Sequence, residues 1–214
     1  MAINSLINEP HYNIEFIFDD IYRLFGAIDK ATIVNQLDYS EFIDVYKKIV
    51  LNSKYDYPLN KIDGYTRRIE LGNGYYNVYW DISRLKKIIA LHKIEPVPFD
   101  VVYLYERVDK NEIKEEYVRV EDTPVCNAQV QFLSSQDIPI DGNHRIVGAY
   151  RANIKTIRAF DIPYQLHSQA ITSSYIKLLM SVQYNLWLLS RYMLGEINRI
   201  MFSQNLIDIF NHSA

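Results

Sequence analysis

Residues 137–160 constrain the fold more than any other stretch of the chain. Asp137-Ile138-Pro139-Ile140 is short and apolar and reads as a buried strand. Asp141-Gly142 is a turn signal. Residues 145–152 follow as a short helix with Ile146, Ala149 and Tyr150 on one face, and Asn153 can take the left-handed conformation that ends it. Residues 154–160 then read as the next strand. The centre of the chain is therefore expected to be mixed α/β.

The remainder arranges itself around that centre. Residues 1–62 read as a helical flank, 63–164 as the core and 165–214 as a helical extension, an α+β class. In 40–50 the apolar Phe42, Val45, Tyr46, Ile49 and Val50 fall at helical spacing, with Ser40 as the expected N-cap. Residues 65–71 and 75–80 flank Gly72-Asn73-Gly74, which tolerates the positive φ angles of a hairpin turn. A helix is expected at 83–92, with Leu85, Ile88 and Ile89 as its stripe and Asp81 or Ser83 as its cap. The two prolines of Ile94-Glu95-Pro96-Val97-Pro98 preclude a helix and predict an extended entry to a strand at 101–105. Residues 109–116 are charged and predict a surface loop or short helix. Further short strands are expected at 117–120 and 128–133. From Ser168 onward, Ile171, Tyr175, Leu178, Leu179, Val182, Leu186 and Leu189 keep one face at helical period. That stripe reads as core, with a dimer surface as the alternative, and Gly195 separates it from a final helix at 197–210.

Composition removes several classes. The single cysteine, Cys126, excludes a disulfide scaffold or a Cys-rich zinc site and reads as a small buried apolar residue. A net charge of -3 does not advertise nucleic acid, although Arg145, Arg151, Lys155 and Arg158 lie close together in sequence. The sequence shows neither a signal-peptide pattern nor an apolar run of membrane-spanning length, so a cytoplasmic protein is expected. The 18 tyrosines read as half-buried packing residues, with a protein-binding surface as the alternative. His11, His92, His167 and His212 form no metal-binding pair.

The chemistry concentrates at Asp141-Gly142-Asn143-His144-Arg145. The order of elements puts Gly142, Asn143 and His144 at a helix amino terminus, where unpaired N–H groups attract anions. Glycine allows close approach of a ligand to the backbone. His144 can donate hydrogen bonds or act as acid or base, and Arg145 offers a fork of donors that matches a phosphate. Asp141 would repel a bare phosphate, so it orients His144 or Arg145, holds Mg²⁺, or acts as a base. The bland alternative is a capped turn whose charges pair with neighbours.

The segment PIDGNHRIVGAYRANIKTIRAFDI resembles the signature of the ParB/sulfiredoxin superfamily. The resemblance covers roughly residues 80–162, is strong over 137–160, and leaves the helical flanks outside. It implies a nucleotide site, with phosphates of ATP, ADP or CTP cradled by Gly142, Asn143, His144 and Arg145. Asp141 stands where the free-serine kinase branch has the aspartate of its DGHHR motif. The segment Ile94–Pro98 is similar to the proline-containing first motif, which offers Glu95 or Asp100 as a second acid. Sulfiredoxins have a cysteine where this chain has Asn143, which argues against sulfinic acid reduction. Partition proteins carry a GERR box where Asn143 and His144 stand here, and no helix-turn-helix follows. The resemblance implies a nucleotide-dependent phosphotransferase or nucleotide hydrolase, with Asp141, His144 and Glu95 catalytic and Asp141 on Mg²⁺. A second expectation is a non-catalytic interaction protein of a phage or mobile element that inhibits a host defence system through a tyrosine-rich surface or the C-terminal helix. A third is a DNA-binding or nuclease module. A homodimer and a protein partner are compatible with the first two.

Overall fold

The computed structural model describes residues 14–54, 56, 64–71, 74–130 and 136–209. Gly72 and Asn73 of the expected hairpin turn, 131–133 of the expected strand at 128–133, Phe210 of the final helix, His11 and His212 lie outside these residues. The chain is α+β, with eight α-helices and two sheets among the described residues. In chain order these are α1 (Ile14–Gly26), α2 (Tyr39–Asn52), β1 (Gly64–Leu71), β2 (Gly74–Asp81), α3 (Ile82–Leu91), β3 (Val97–Asp100) and α4 (Val101–Arg107). They continue with β4 (Val125–Val130), β5 (Gln136–Asp141), α5 (Asn143–Arg151), β6 (Thr156–Ile162), α6 (Tyr164–His167), α7 (Ser174–Met193) and α8 (Arg199–Asn205). Strands β1 and β2 pair with each other. No helix among the described residues is long and apolar enough to cross a membrane.

The chain divides into two compact units. The first comprises Met1–Tyr55, Arg68–Val78 and Leu178–Ala214. Its core takes Ile17, Phe18, Ile21 and Phe25 from α1 and Ile43, Tyr46 and Val50 from α2. Asp38, not Ser40, caps α2, because its carboxylate reaches the amide of Ser40. The stripe Leu178, Leu179, Val182, Leu186 and Leu189 is buried, and so are Ser181, Gln183 and Asn185 on other sides of the same helix. Most buried polar groups have hydrogen-bond partners. Gln183 accepts from the Tyr76 hydroxyl, and Asn185 bonds both backbone groups of Ile207. Gly195 ends the run with φ 73°.

The second unit comprises Asp56–Arg67 and Tyr79–Lys177. Its sheet runs β3-β6-β4-β5, with β4 and β6 parallel and both outer pairs antiparallel. A register shift falls between Cys126 and Asn127. Leu104 and Val108 from α4 and its end, Ile146 and Val147 from α5, and Val125 and Ala159 from the sheet form one apolar cluster. Behind the sheet, the buried Trp80 donates from its indole to His167 Nδ1, and His167 Nε2 lies 3.0 Å from the Gln129 carbonyl oxygen. Complete burial pushes the His167 imidazole down to about 4, so it is neutral and donates from Nε2. The amino terminus of α7 is capped from far away in sequence: Asp56 accepts from Ser174 N, Tyr175 N and the Ser173 hydroxyl at 2.7, 3.0 and 2.6 Å.

Two expected strands are corrected here. Residues 101–105 are helical, in α4. The Asp100 carboxylate accepts the amide of Tyr103 and starts a turn that buries Val101, Leu104 and, just past its end, Val108. The run Val-Val-Tyr-Leu-Tyr suits a strand by residue type, but burial at helical spacing and a cap outweigh that preference. The extended segment expected as the entry to that strand is itself the strand β3, which contains Pro98. Residues 117–120 are not a strand either: Tyr117 closes a 3₁₀ turn (Glu115–Tyr117), and the next residues lie against α5. A Cβ on Gly148 would sit 2.1 Å from the Arg119 carbonyl oxygen, so this segment and α5 touch backbone to backbone.

Candidate functional site

The Asp141–Arg145 turn has the strand-to-helix geometry expected of it. Strand β5 ends at Asp141, Gly142 adopts φ 90°, and α5 begins at Asn143 without a side-chain cap. Gly142 is needed twice over. Its φ is left-handed, and a Cβ there would meet Val125 Cγ1 at 2.5 Å and Arg145 Nη2 at 2.9 Å. The space beside this glycine is thus filled by the protein's own side chains.

The polar side chains of the turn face different surroundings. Arg145 is buried, donates to the carbonyls of Thr123 and Pro124 at 3.0 and 3.3 Å, and lies 3.6 Å from Asp141. It pins the 123–124 segment to α5. Asp141 also faces Lys86 Nζ at 3.4 Å, so it holds cations and does not orient His144. His144 Nε2 accepts the amide of Lys114 at 3.1 Å, and its ring meets Tyr117 edge-on. Asn143 is buried with its Oδ1 unpaired. Of the basic residues near this turn, Arg151 pairs with Glu115 and Arg158 with Asp122, and Arg158 shares a second cleft with Arg145.

Asp141 and Arg145 do meet a third expected residue in a cleft of about 830 Å³. Glu95 lines it, exposed, after α3. Lys86, Lys93 and Arg119 complete a basic set with Arg145, while Ile89, Ile94, Pro124 and Phe160 supply apolar lining. Cys126 lies at the same cleft, buried, and burial beside Asp141 pushes its thiol up to about 12. Burial thus favours its protonated form. Gly142, Asn143 and His144 do not line this cleft, and Asp100 is engaged as the α4 cap.

Sequence reasoning overlooked Lys86, Lys93, Arg119 and Glu121. Each is an ordinary surface charge in sequence, and only the folded chain brings α3, its end and the 119–124 segment to one cleft. Glu121 is already engaged by Arg119 at 2.6 Å and by the Thr123 hydroxyl, which holds its carboxyl below the usual range. Among the described residues no three His, Cys, Asp or Glu side chains converge as a metal cage. Asp141 and Glu95 are carboxylates on the lining of the same cleft as Lys86, Lys93, Arg119 and Arg145.

No protein-family model, curated protein or solved structure matches the chain.

Proposed function

We propose that the chain binds a nucleotide in the cleft beside Arg145 and acts on its phosphates, as a phosphotransferase or a nucleotide hydrolase of ParB/sulfiredoxin-like type. The observation that carries this reading is the lining of the cleft: Lys86, Lys93, Arg119 and Arg145 beside Asp141 and Glu95, with Ile89, Ile94 and Phe160 among the apolar residues. Anionic phosphates suit the cations, and a base or sugar suits the apolar lining. Arg145 offers a rigid, partly buried guanidinium and Lys86 a more exposed point charge. Asp141 and Glu95 are the residues that would hold Mg²⁺, which would offset phosphate charge when bound. Glu95 is more exposed than Asp141 and, unlike Glu121, is not held by Arg119, so it fits a base that accepts a proton from an attacking hydroxyl or water. His144 is left out of this chemistry, because its Nε2 serves the Lys114 amide outside the cleft. A cytoplasmic location follows from the same reading, since that is where nucleotides are abundant.

Calorimetry with ATP, ADP and CTP, each with and without Mg²⁺, tests the proposal. Binding is expected for at least one nucleotide, weakened in Lys86→Ala, whose exposed side chain can be removed without disturbing the core. If no nucleotide binds the intact chain, the proposal fails.

A further inference from the structure

Helix α3 ends in a Schellman turn. The amide of Ile94 donates to the Ile89 carbonyl at 3.1 Å, and between them Lys93 adopts φ 51°. That left-handed region crowds a side chain against its own backbone, and glycine or asparagine is the usual occupant. Helix α5 ends the same way, with Ile154 N donating to Ala149 O at 3.0 Å, and there the left-handed residue is Asn153 at φ 55°. One helix therefore closes with a residue that tolerates the conformation, and the other with a long cation that does not. A non-glycine residue kept in such a conformation calls for a reason in its side chain.

The cleft supplies the reason. Lys86, Ile89 and Lys93 are spaced i, i+3 and i+7 along α3 and its end, so they share one side of it, and all three line the cleft. The other cations there already have protein partners: Arg119 on Glu121, Arg145 on Asp141 and two carbonyls, Lys86 on Asp141. Lys93 makes no ion pair among the described residues. We propose that Lys93 is a phosphate-contacting residue, and that with Lys86 it selects a polyphosphate ester over a monophosphate. The inference rests on the nucleotide reading above and names its substrate class. A single phosphate near Asp141 has Lys86 and Arg145 in reach, both already paired with that carboxylate. A di- or triphosphate is long enough to reach from Lys86 on α3 to Lys93 in the turn that ends it, both of which line the cleft.

The test uses Lys93→Gly and Lys93→Asn in the full chain. Both remove the charge, and both suit the left-handed turn. Thermal unfolding without ligand is expected to show the midpoint unchanged or raised in each. Calorimetry is expected to show affinity for ATP and inorganic triphosphate reduced roughly tenfold, the range of one charged hydrogen bond, with AMP weak in wild type and barely altered. Equal ATP affinity in wild type and both variants would overturn the inference alone. So would AMP binding as tightly as ATP, or a drop in midpoint that accompanies the loss of binding, since Lys93 would then be holding the fold. Wild type that binds none of these ligands would remove the nucleotide reading itself.

Discussion

The Asp141–Arg145 turn and the rim of α3 carry similar numbers of charged groups and use them in opposite ways. In the turn, the polar side chains are largely engaged within the protein. Arg145 holds two carbonyls and Asp141, and His144 holds the Lys114 amide, while the flank of Gly142 is closed by Val125. On the rim, Lys86 is mostly exposed and Lys93 sits in a turn that disfavours it. The lesson is that a polar motif at a helix amino terminus can be chiefly a clamp. Residues with no motif around them then form the surface open to a ligand.

The largest effect that would test this contrast is on Arg145. Arg145→Ala strips a partner from Asp141 and leaves two carbonyls without their donor. Urea unfolding is expected to show a loss of about 3 kcal/mol. A loss under about 0.5 kcal/mol, the range of an ordinary surface change, would mean the turn is no clamp. Next come the glycines that let α5 approach its neighbours. Gly148→Ala forces the Arg119 carbonyl away from 2.1 Å. The clash is expected to cost about 1–3 kcal/mol despite the better helix propensity of alanine. Gly142→Ala adds a disfavoured φ to its own clash and is expected to cost at least as much.

The α7 amino terminus gives a reference for what a capped helix gains. Asp56→Ala should cost about 1 kcal/mol near neutral pH. Hydrogen bonds from Ser173, Tyr175 and Ser174 hold the Asp56 carboxyl below its ordinary range despite the opposing effect of burial. A depressed folded value means the stabilisation is complete above the unfolded pKa, near 3.9, and is lost as pH falls through the folded value. The gap between wild type and Asp56→Ala in acid titrations should therefore close below about pH 4. A gap that widens in acid would contradict the assignment of Asp56 as an ionised cap.

The smallest stability effects are expected at the proposed ligand site and at His144. His144→Ala removes an acceptor from the Lys114 amide and should cost about 1 kcal/mol or less while leaving nucleotide affinity unchanged. Lys86→Ala should change stability by no more than about 0.5 kcal/mol yet weaken nucleotide binding. Should His144→Ala abolish binding while Lys86→Ala spares it, the roles assigned to turn and rim would have to be exchanged.

Much of the centre was legible because its signals are local. Asp141-Gly142 marks a turn, Asn153 a left-handed stop, and Leu85, Ile88 and Ile89 a helical face, and each holds in the structure. The segment 101–105 misled for a physical reason: its β-branched and aromatic residues suit a strand, and only the Asp100 cap and the burial of Leu104 make it a helix. The candidate site was half legible. Asp141, Arg145 and Glu95 do share a cleft, whereas Asn143 and His144 turn out to be engaged elsewhere or buried away from it.

By itself the sequence determined the α+β class, the strand–turn–helix centred on Gly142 and the apolar face of α7, because periodicity, turn chemistry and burial preference act over a few residues. Tertiary structure alone decided which charges meet. Asp56 reaches the start of α7, Arg145 reaches the carbonyls of Thr123 and Pro124, and Lys86 and Arg119 come to the same cleft from different segments. Such pairings depend on how the chain folds back on itself, and residue type at one position carries no record of its partner.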